Sequence, residues 1–432
     1  MTPKHYVPRP VFDTLDELID QYKLIYEADN PRQIIRQWLT HCFAGLDITL
    51  PQQASRDYQL ALSFLYSYRG SPDTFRAYRR DIERLLQWSW FVKEQSPLKH
   101  NREDIEAFIM FCLKPYKRWI GLKTVARFKL IEGEKKPNPV WRPFDVTVSK
   151  KDHQDGLEPT KEQYQMAPST LKVMFGVLSS FYNFLLQDGA IQANPVQLIR
   201  QKSKFIRKEA TAPTIRRLSP KQWQTVLTVA HKMADENPQH ERTLFIVSCL
   251  YGMYLRISEL TASTRWIPLM NDFFKDNDGN WWFKTVGKGN KARQITVSTF
   301  ILTALKRYRK SLGLSPYPLL DEKTPLIPHE KNQHKAVSDK RWIRTLVQGC
   351  FDQAADQLNA MGDKNEAVQL RSATVHWLRH TGISDDVKVR PREHVRDDAG
   401  HSSGAITDRY INIGLQERAA SAKNKKQLHD ML

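Results

Sequence analysis

Six side chains in the C-terminal half of the sequence are of types that act on phosphate. They are Arg256, Lys288, His376, Arg379, His401 and Tyr410. Transfer of a phosphodiester to a side chain builds a five-coordinate phosphorus with extra negative charge, and the planar fork of arginine matches that charge. A tyrosine hydroxyl, with an ordinary pKa of about 10, needs a base or cationic neighbours to react. The set therefore suits attack of a phenol oxygen on a phosphodiester.

None of these residues is specific when taken alone. An arginine at the end of an apolar run is usually solvated or structural, as with Arg256. The Gly287-Lys288-Gly289 string is typical of a solvated turn, a lone His376 is compatible with a core histidine, and a lone Tyr410 would be a packing residue. Their order, with Tyr410 nine residues after His401, makes the combined signal strong.

The strings around these residues resemble the tyrosine recombinase (phage integrase) family. The motifs are Leu255-Arg256-Ile257-Ser258-Glu259-Leu260, Lys288 between two glycines, His376-Trp377-Leu378-Arg379-His380-Thr381, Gly400-His401 and Tyr410. The resemblance covers about residues 70–113 and 168–425. Glu259 and His380 are interpreted as structural, Glu259 by orienting a neighbouring basic side chain.

The resemblance implies a role for each matching position. Arg256 and Arg379 would clamp the scissile phosphate, and His401 would hydrogen-bond its oxygens. His376 would do the same and also accept the tyrosine proton.

Lys288 would protonate the leaving 5′ oxygen, and Tyr410 would be the nucleophile that forms a 3′-phosphotyrosine bond. Because that covalent intermediate stores the bond energy, no cofactor and no metal is expected.

The resemblance also implies partners. Four protomers on two double-stranded DNA sites would exchange strands pairwise, with accessory DNA-bending proteins as further compatible partners. Residues 415–432 form a basic amphipathic tail that would dock on the neighbouring protomer. A helix folded back on its own domain is the alternative for that tail.

The composition points to the same kind of partner. The formal net charge of +19 and a pI near 9.6 favour a polyanion, because basic surfaces bind phosphate through counterion release. The four cysteines are widely separated and form no C-x-x-C pair, which predicts a reducing compartment. With no apolar run of about 18 residues and no signal peptide, the sequence predicts a cytoplasmic, DNA-associated bacterial protein without membrane contact.

The predicted fold is mainly α-helical, with a small antiparallel β-sheet in the catalytic domain. Residues 1–50 form a helical N-terminal extension, which is either an accessory segment that binds DNA or contacts another subunit, or a cap on the next domain. Residues 51–200 form a helical core-binding (SAM-like) domain, interrupted at 114–167 by a basic insertion that would contact DNA or a neighbouring subunit. A basic linker at 201–217 leads to the catalytic domain, 218–432.

Local signals define several elements within these domains. Two helices are predicted to begin at caps, one at Ser71-Pro72 and one at the Ser219–Gln222 capping box. Two further helices are predicted over Arg102–Leu113 and Ser169–Gln187. Strands are predicted at Trp281–Val286 and Arg293–Val297. Basic residues on the first helix and in the linker are candidate contacts to the DNA backbone: Arg76, Arg79, Arg80, Lys202, Lys204, Arg216 and Arg217.

One segment departs from the family pattern. Between Arg379 and His401 the chain is short of apolar residues where an amphipathic helix normally packs, and Ala399 stands where leucine is usual. The packing of this segment is therefore in doubt.

Two rival functions remain. A type IB topoisomerase or hairpin-forming resolvase would share the chemistry, but the tail and the short hairpin favour recombination. A non-cleaving DNA-binding regulator would be expected to lack a catalytic residue, and none is missing.

Overall fold

The computed structural model describes residues 6–146, 156–202, 216–287, 289–408 and 410. The chain divides into two compact units, residues 1–210 and 211–432. The mainly helical fold class is confirmed.

The first unit is a helical bundle built from seven described helices. They are α1 (Leu15–Tyr26), α2 (Pro31–Cys42), α3 (Ala54–Tyr66), α4 (Pro72–Trp88), α5 (Arg102–Leu113), α6 (Pro168–Gln187) and α7 (Pro195–Lys202). The predicted bounds of α5 are confirmed, and its start is fixed by a capping box between Asn101 and Asp104. Pro72 is the first residue of α4, as its sequence predicts.

The described residues of the N-terminal segment, 6–50, contribute to the core of this unit. Phe12, Leu18 and Leu39 are buried in the same cluster as residues of α3 and α4. The buried carboxylate of Glu83 in α4 accepts a hydrogen bond of 2.7 Å from the backbone N–H of Val11. These contacts favour a cap on the next domain, and that role of the N-terminal segment stays a prediction.

The described parts of the insertion, residues 114–146 and 156–167, contain β-structure that the sequence did not predict there. Strands β1 (Ile120–Gly121) and β4 (Phe144–Asp145) pair in parallel, and β2 (Phe128–Ile131) and β3 (Glu134–Pro137) form an antiparallel hairpin. Trp119 is buried, and Arg127 forms an ion pair with Glu83. The small antiparallel sheet predicted for the catalytic domain is confirmed, and these short strands are additional to it, with β3 in contact with α2.

Helix α6 is the longest apolar helix of the first unit. It is 20 residues long and passes a length-and-composition test for a membrane span, but half of its apolar window is buried inside the unit. Core helices of soluble proteins pass the same test, so this is weak evidence for a membrane span.

The second unit combines eight described helices with two small sheets. The helices are α8 (Pro220–Glu236), α9 (Glu241–Gly252), α10 (Thr299–Ser311), α11 (Lys340–Ala360), α12 (Lys364–Ser372), α13 (Val375–Asp386), α14 (Arg392–Ala399) and α15 (Gly404–Asp408). Strands β5 (Phe273–Lys275), β6 (Trp281–Val286) and β7 (Ala292–Thr296) form an antiparallel sheet, and β8 (Pro328–His329) pairs with β9 (Asn332–Ala336). The predicted capping box at Ser219 is present.

Helix α9 is the centre of this unit, because it packs against α8, α10 and α13. Seven consecutive residues, Leu244–Leu250, are buried, which is typical of a helix enclosed on all sides. The helix ends just before Tyr254, whose φ of 51° turns the chain sharply toward Arg256. The core helix therefore positions one of the two candidate arginines.

Gly382 sets how closely α13 approaches α9. A Cβ atom added there would overlap the backbone carbonyl oxygen of Tyr251, so the helices would have to separate. We expect Gly382→Ala to lower the free energy of unfolding by about 1–3 kcal/mol or more. Gly349, inside α11, has nothing within 4 Å of an added Cβ, and Gly349→Ala should stabilise by about 0.5–1 kcal/mol. Urea unfolding of both variants checks this, and equal effects of the two changes would contradict it.

Candidate active site

Five of the six predicted catalytic residues line one cleft of about 710 Å³ in the second unit: Arg256, His376, Arg379, His401 and Tyr410. The sixth, Lys288, lies outside the described residues, but Gly287 and Gly289 beside it line the same cleft. Residues from the end of α9, the β6–β7 turn, α13 and the turn after α14 therefore converge.

Arg379 forms the floor of the cleft. Its side chain is buried, with 2% of the residue exposed. Its Nη1 donates to the carbonyl of Tyr254, and its Nη2 donates to the carbonyl of Ala399 at 2.6 Å and lies 3.3 Å from His401 Nε2. Burial, followed by the nearby Arg256, lowers the pKa of Arg379 to about 9. A negatively charged phosphate in the cleft would offset both effects, because an opposite charge stabilises the protonated guanidinium.

Arg256 is held from behind by Glu259. The backbone N–H of Arg256 donates to Glu259 Oε2 at 2.7 Å, and its Nη1 donates to Oε1 at 3.1 Å. Burial disfavours the carboxylate, yet hydrogen bonds from Arg293 and Arg256 keep the pKa of Glu259 below its usual value. Glu259 thus fixes the direction of the Arg256 guanidinium, in agreement with the interpretation of this glutamate as an orienting residue.

Arg293, on β7, was not among the predicted site residues. It donates to both oxygens of Glu259, at 2.6 and 2.8 Å, and from Nε to the carbonyl of Asp398 at 2.9 Å. A signal for it existed in the alternation of β7, because Arg293 shares a face with the buried Ile295. An arginine on the inward face of a strand needs a buried acceptor.

Two glycines make room for Arg293. A Cβ added at Gly400, where φ is 63°, would lie 2.9 Å from Arg293 Cδ. One added at Gly287 would lie 2.9 Å from Arg293 Nη1 and 3.0 Å from Glu259 Oε1. The glycines beside Lys288 and His401 thus allow the hairpin and the histidine turn to approach the same guanidinium.

His401 links Arg379 to the helix before Tyr410. Its Nδ1 lies 2.9 Å from the hydroxyl oxygen of Thr407. Burial, followed by Arg379, Arg256 and Arg293, lowers the pKa of His401 to about 4. The imidazole is therefore neutral at pH 7 and available as a hydrogen-bonding group.

Tyr410 lies between two imidazole rings. Its ring stacks on His401 with 5.6 Å between centroids and lies 5.3 Å from His380, and 8% of the residue is exposed. His380 also contacts His376 edge-on at 4.3 Å, and its pKa is about 4 because of burial, His376 and Arg379. His380, interpreted from sequence as structural, is therefore part of the packing around the candidate nucleophile.

His376 lies on the exposed side of α13 and lines the cleft. Partial enclosure lowers its pKa, with further lowering by Arg379 and Arg256. A neutral imidazole at this position has the protonation state that a general base requires.

The segment between Arg379 and His401 packs through polar contacts. Val395 and Ala399 are buried, and so is Asp398, which accepts a hydrogen bond of 3.1 Å from the backbone N–H of Thr296 in β7. The segment has few apolar residues, and hydrogen-bonded and ion-paired side chains such as Asp398 replace part of the apolar packing.

The candidate DNA-contacting arginines of the first unit differ in whether their side chains already bond to other groups of the protein. Arg79 donates to the backbone carbonyl of Asp13, and Arg80 donates to both oxygens of Asp81. Arg76 is exposed and pairs with Asp73. A DNA role for Arg79 and Arg80 stays a prediction that would require exchange of these internal partners.

The linker candidates are only partly described. Arg216 is exposed and Arg217 is half-buried. Lys204 lies outside the described residues, as does the tail at 415–432 that was predicted to dock on a neighbouring protomer. The structure describes only the backbone of Lys202. Among the residues that the structure describes, no three His, Cys, Asp or Glu side chains are grouped so as to hold a metal ion.

The two histidines beside Tyr410 predict a pH-dependent stability. His380 and His401 have a pKa of about 4 in the fold, against about 6.5 in an unfolded chain. Between these values the unfolded chain binds more protons, so the free energy of unfolding rises with pH from about 4 to about 6.5. Melting temperatures of the DNA-free protein across this range should show the rise.

The variant His380→Gln should show a smaller rise than the wild type. His231→Gln changes an exposed histidine of α8 and should keep the wild-type slope. A slope that His380→Gln leaves unchanged would contradict the prediction.

The chain was compared with known sequences and structures. No family model matches it. It is 27% identical over 365 residues to tyrosine recombinase XerC of Chlorobaculum parvum, covering 82% of this chain and 88% of that protein. It is 25% identical over 358 residues to a tyrosine recombinase of Thermosipho africanus, covering 82% and 94%.

A solved structure shares the fold. The XerH site-specific recombinase, in a post-cleavage complex with its palindromic difH substrate, matches with a TM-score of 0.52 and 13% identity over 97% of this chain and 99% of that one. The two sequence relatives cover both units, and the shared fold spans nearly the whole chain. This chain is therefore similar to tyrosine recombinases over most of its length, and it shares the fold of one of them.

Proposed function

We propose that the protein is a site-specific recombinase that cuts and rejoins double-stranded DNA through a 3′-phosphotyrosine intermediate. The observation that carries this proposal is the convergence of Arg256, Arg379, His401 and Tyr410 on one cleft. Similarity to tyrosine recombinases supports the reaction, and the cleft supports the assignment of these residues to it.

In the proposed cleavage step, the scissile phosphate binds between Arg256 and Arg379. The Tyr410 oxygen attacks phosphorus, the bond from phosphorus to the 5′ oxygen breaks, and a 3′-phosphotyrosine forms. His376 takes the tyrosine proton, and Lys288 gives a proton to the leaving 5′ oxygen. Religation is the reverse reaction with a different 5′ hydroxyl.

Charge stabilisation is the main contribution of the protein to this step. Arg256, Arg293 and Arg379 surround the cleft, while Glu259 is the buried carboxylate behind them. Fixed donors in a water-poor site stabilise developing charge more strongly than solvent does. The two arginines that face the phosphate can therefore stabilise the five-coordinate state without reorganising.

The proposal extends to assembly and cellular setting. We infer a tetramer on two DNA sites, with residues 415–432 joining protomers, and activity on a bacterial mobile element in the cytoplasm. The net charge of +19 supports DNA as the partner, and XerH was solved with its difH substrate.

The test uses a duplex site selected from a randomised DNA pool by binding to the wild-type protein. The site is then nicked beside the cleavage position, so that the released fragment diffuses away and the covalent protein–DNA adduct accumulates. We expect an adduct on a denaturing gel with a chelator present. Absence of any adduct on a tightly bound nicked site would overturn the proposed function.

A further inference from the structure

The position of Arg379 depends on two backbone carbonyls from different parts of the chain. One belongs to Tyr254, at the end of α9, and the other to Ala399, at the end of α14. Tyr254 has a φ of 51°, a region that aromatic residues seldom occupy and that surrounding contacts must maintain. A shift of either carbonyl would redirect the guanidinium group.

The side chain of Arg390 connects these same two segments. Its Nη1 donates to the hydroxyl oxygen of Tyr254 at 3.1 Å, and its Nη2 donates to Asp398 Oδ2 at 2.6 Å, one residue before Ala399. The Tyr254 hydroxyl in turn donates to Asp386, which lies 3.4 Å from Arg390 Nη1. The Arg390 guanidinium group therefore joins the side chain of Tyr254 to that of Asp398, next to the two backbone carbonyls that accept hydrogen bonds from Arg379.

Asp398 extends the connection to the hairpin. Its side chain is buried, with 4% of the residue exposed, and it accepts a hydrogen bond of 2.6 Å from the hydroxyl of Thr296 in β7. Arg390 Nη2 also lies 3.0 Å from that hydroxyl oxygen. Removing the arginine would leave the buried Asp398 without its cationic partner, and such a loss is costly.

The charges explain why this arrangement is tight. Burial disfavours the cation, but hydrogen bonding to Asp398 and the charges around it raise the pKa of Arg390. Its planar fork bonds to Asp398 and to Tyr254 at the same time, which a single ammonium group on a flexible stem matches poorly. The polar residues of this segment thus form a bridge where apolar packing was expected.

We propose that Arg390 is a positioning residue for the cleavage step, acting by holding the Tyr254 and Ala399 carbonyls that orient Arg379. Arg390 itself does not line the described cleft. This inference rests on the proposed function, because its effect is measured as adduct formation.

The test compares Arg390→Gln and Arg390→Lys with Arg396→Gln. Arg396 lies on α14, the helix that begins two residues after Arg390, and its ion pair is with the exposed Asp397, so it serves as a matched control. The rate of adduct formation on the nicked duplex and the Kd for that duplex are measured below the melting transition of every variant. The melting temperature of each variant is measured separately.

For Arg390→Gln we expect adduct formation to slow by about 10–100-fold, since small misplacements of a reacting group have effects of that order. The Kd should stay within about threefold of wild type, because Arg390 is not a phosphate ligand. Arg390→Lys should recover only part of the rate, and Arg396→Gln should match wild type in all three quantities. A lower melting temperature alone would not produce this split between rate and affinity.

Three results would overturn the inference: a wild-type rate in Arg390→Gln, full activity in Arg390→Lys, or equal losses of rate and DNA affinity. If Arg390→Gln does not fold, the comparison of Arg390→Lys with wild type decides. A wild-type protein that forms no adduct would instead contradict the proposed function, so the two failures are distinguishable.

Discussion

Replacing Tyr410 with phenylalanine is expected to abolish covalent adduct formation on the nicked duplex, with a loss of at least about 10⁴-fold, as for removal of other nucleophiles. The change removes one oxygen and keeps the ring that packs between His401 and His380. The Kd for DNA and the melting temperature should therefore change little. Denaturing gels measure the adduct, and gel shifts measure binding.

Tyr317→Phe is the matched control for this experiment. Tyr317 is an exposed tyrosine of the same unit that stacks on Trp281, and its hydroxyl has no proposed role. We expect wild-type adduct levels from it. An adduct that persists in Tyr410→Phe would show that another side chain is the nucleophile, while the similarity to tyrosine recombinases would stand.

Replacing Arg379 with lysine should slow adduct formation by about 10²–10³-fold, the usual effect of removing one fixed donor to a developing oxyanion. Lysine keeps the positive charge but lacks the planar guanidinium group, whose Nη1 donates to the Tyr254 carbonyl and whose Nη2 donates to the Ala399 carbonyl. Because the ground-state phosphate still meets a cation, we expect the Kd for DNA to rise by less than the rate falls.

Arg309→Lys is the control for replacing a buried guanidinium group with an ammonium group. Arg309 is also buried in the second unit and bonds to both oxygens of Glu322, at 2.8 and 2.9 Å, but it does not line the cleft. Its variant should be less stable and yet cleave at the wild-type rate below its melting transition. Equal rates in the two lysine variants would remove Arg379 from the proposed phosphate clamp.

Local sequence signals determined much of the secondary structure. Pro72 and the capping box at Ser219 mark helix starts, and the turn at residues 287–291 marks the hairpin between β6 and β7. Such signals act over a few residues, because caps and turns satisfy backbone groups of their immediate neighbours. The sequence therefore predicted these elements without knowledge of the fold.

The order of motifs also determined which residues are candidates for catalysis. Arg256, His376, Arg379, His401 and Tyr410 could be named because their types and separations match a single reaction, and the structure brings these five into one cleft. Their roles stay predictions until the variants are measured.

Only the tertiary structure revealed the contacts that Arg293 and Arg390 make around the site. Arg293 bonds to a residue 34 positions earlier and another 105 positions later, and Arg390 bonds to one 136 positions away. In the first unit, the β-strands of the insertion were likewise decided by packing against distant helices. Contacts of this range depend on how helices and sheet pack, since a buried charge is stable only where the fold brings it a partner.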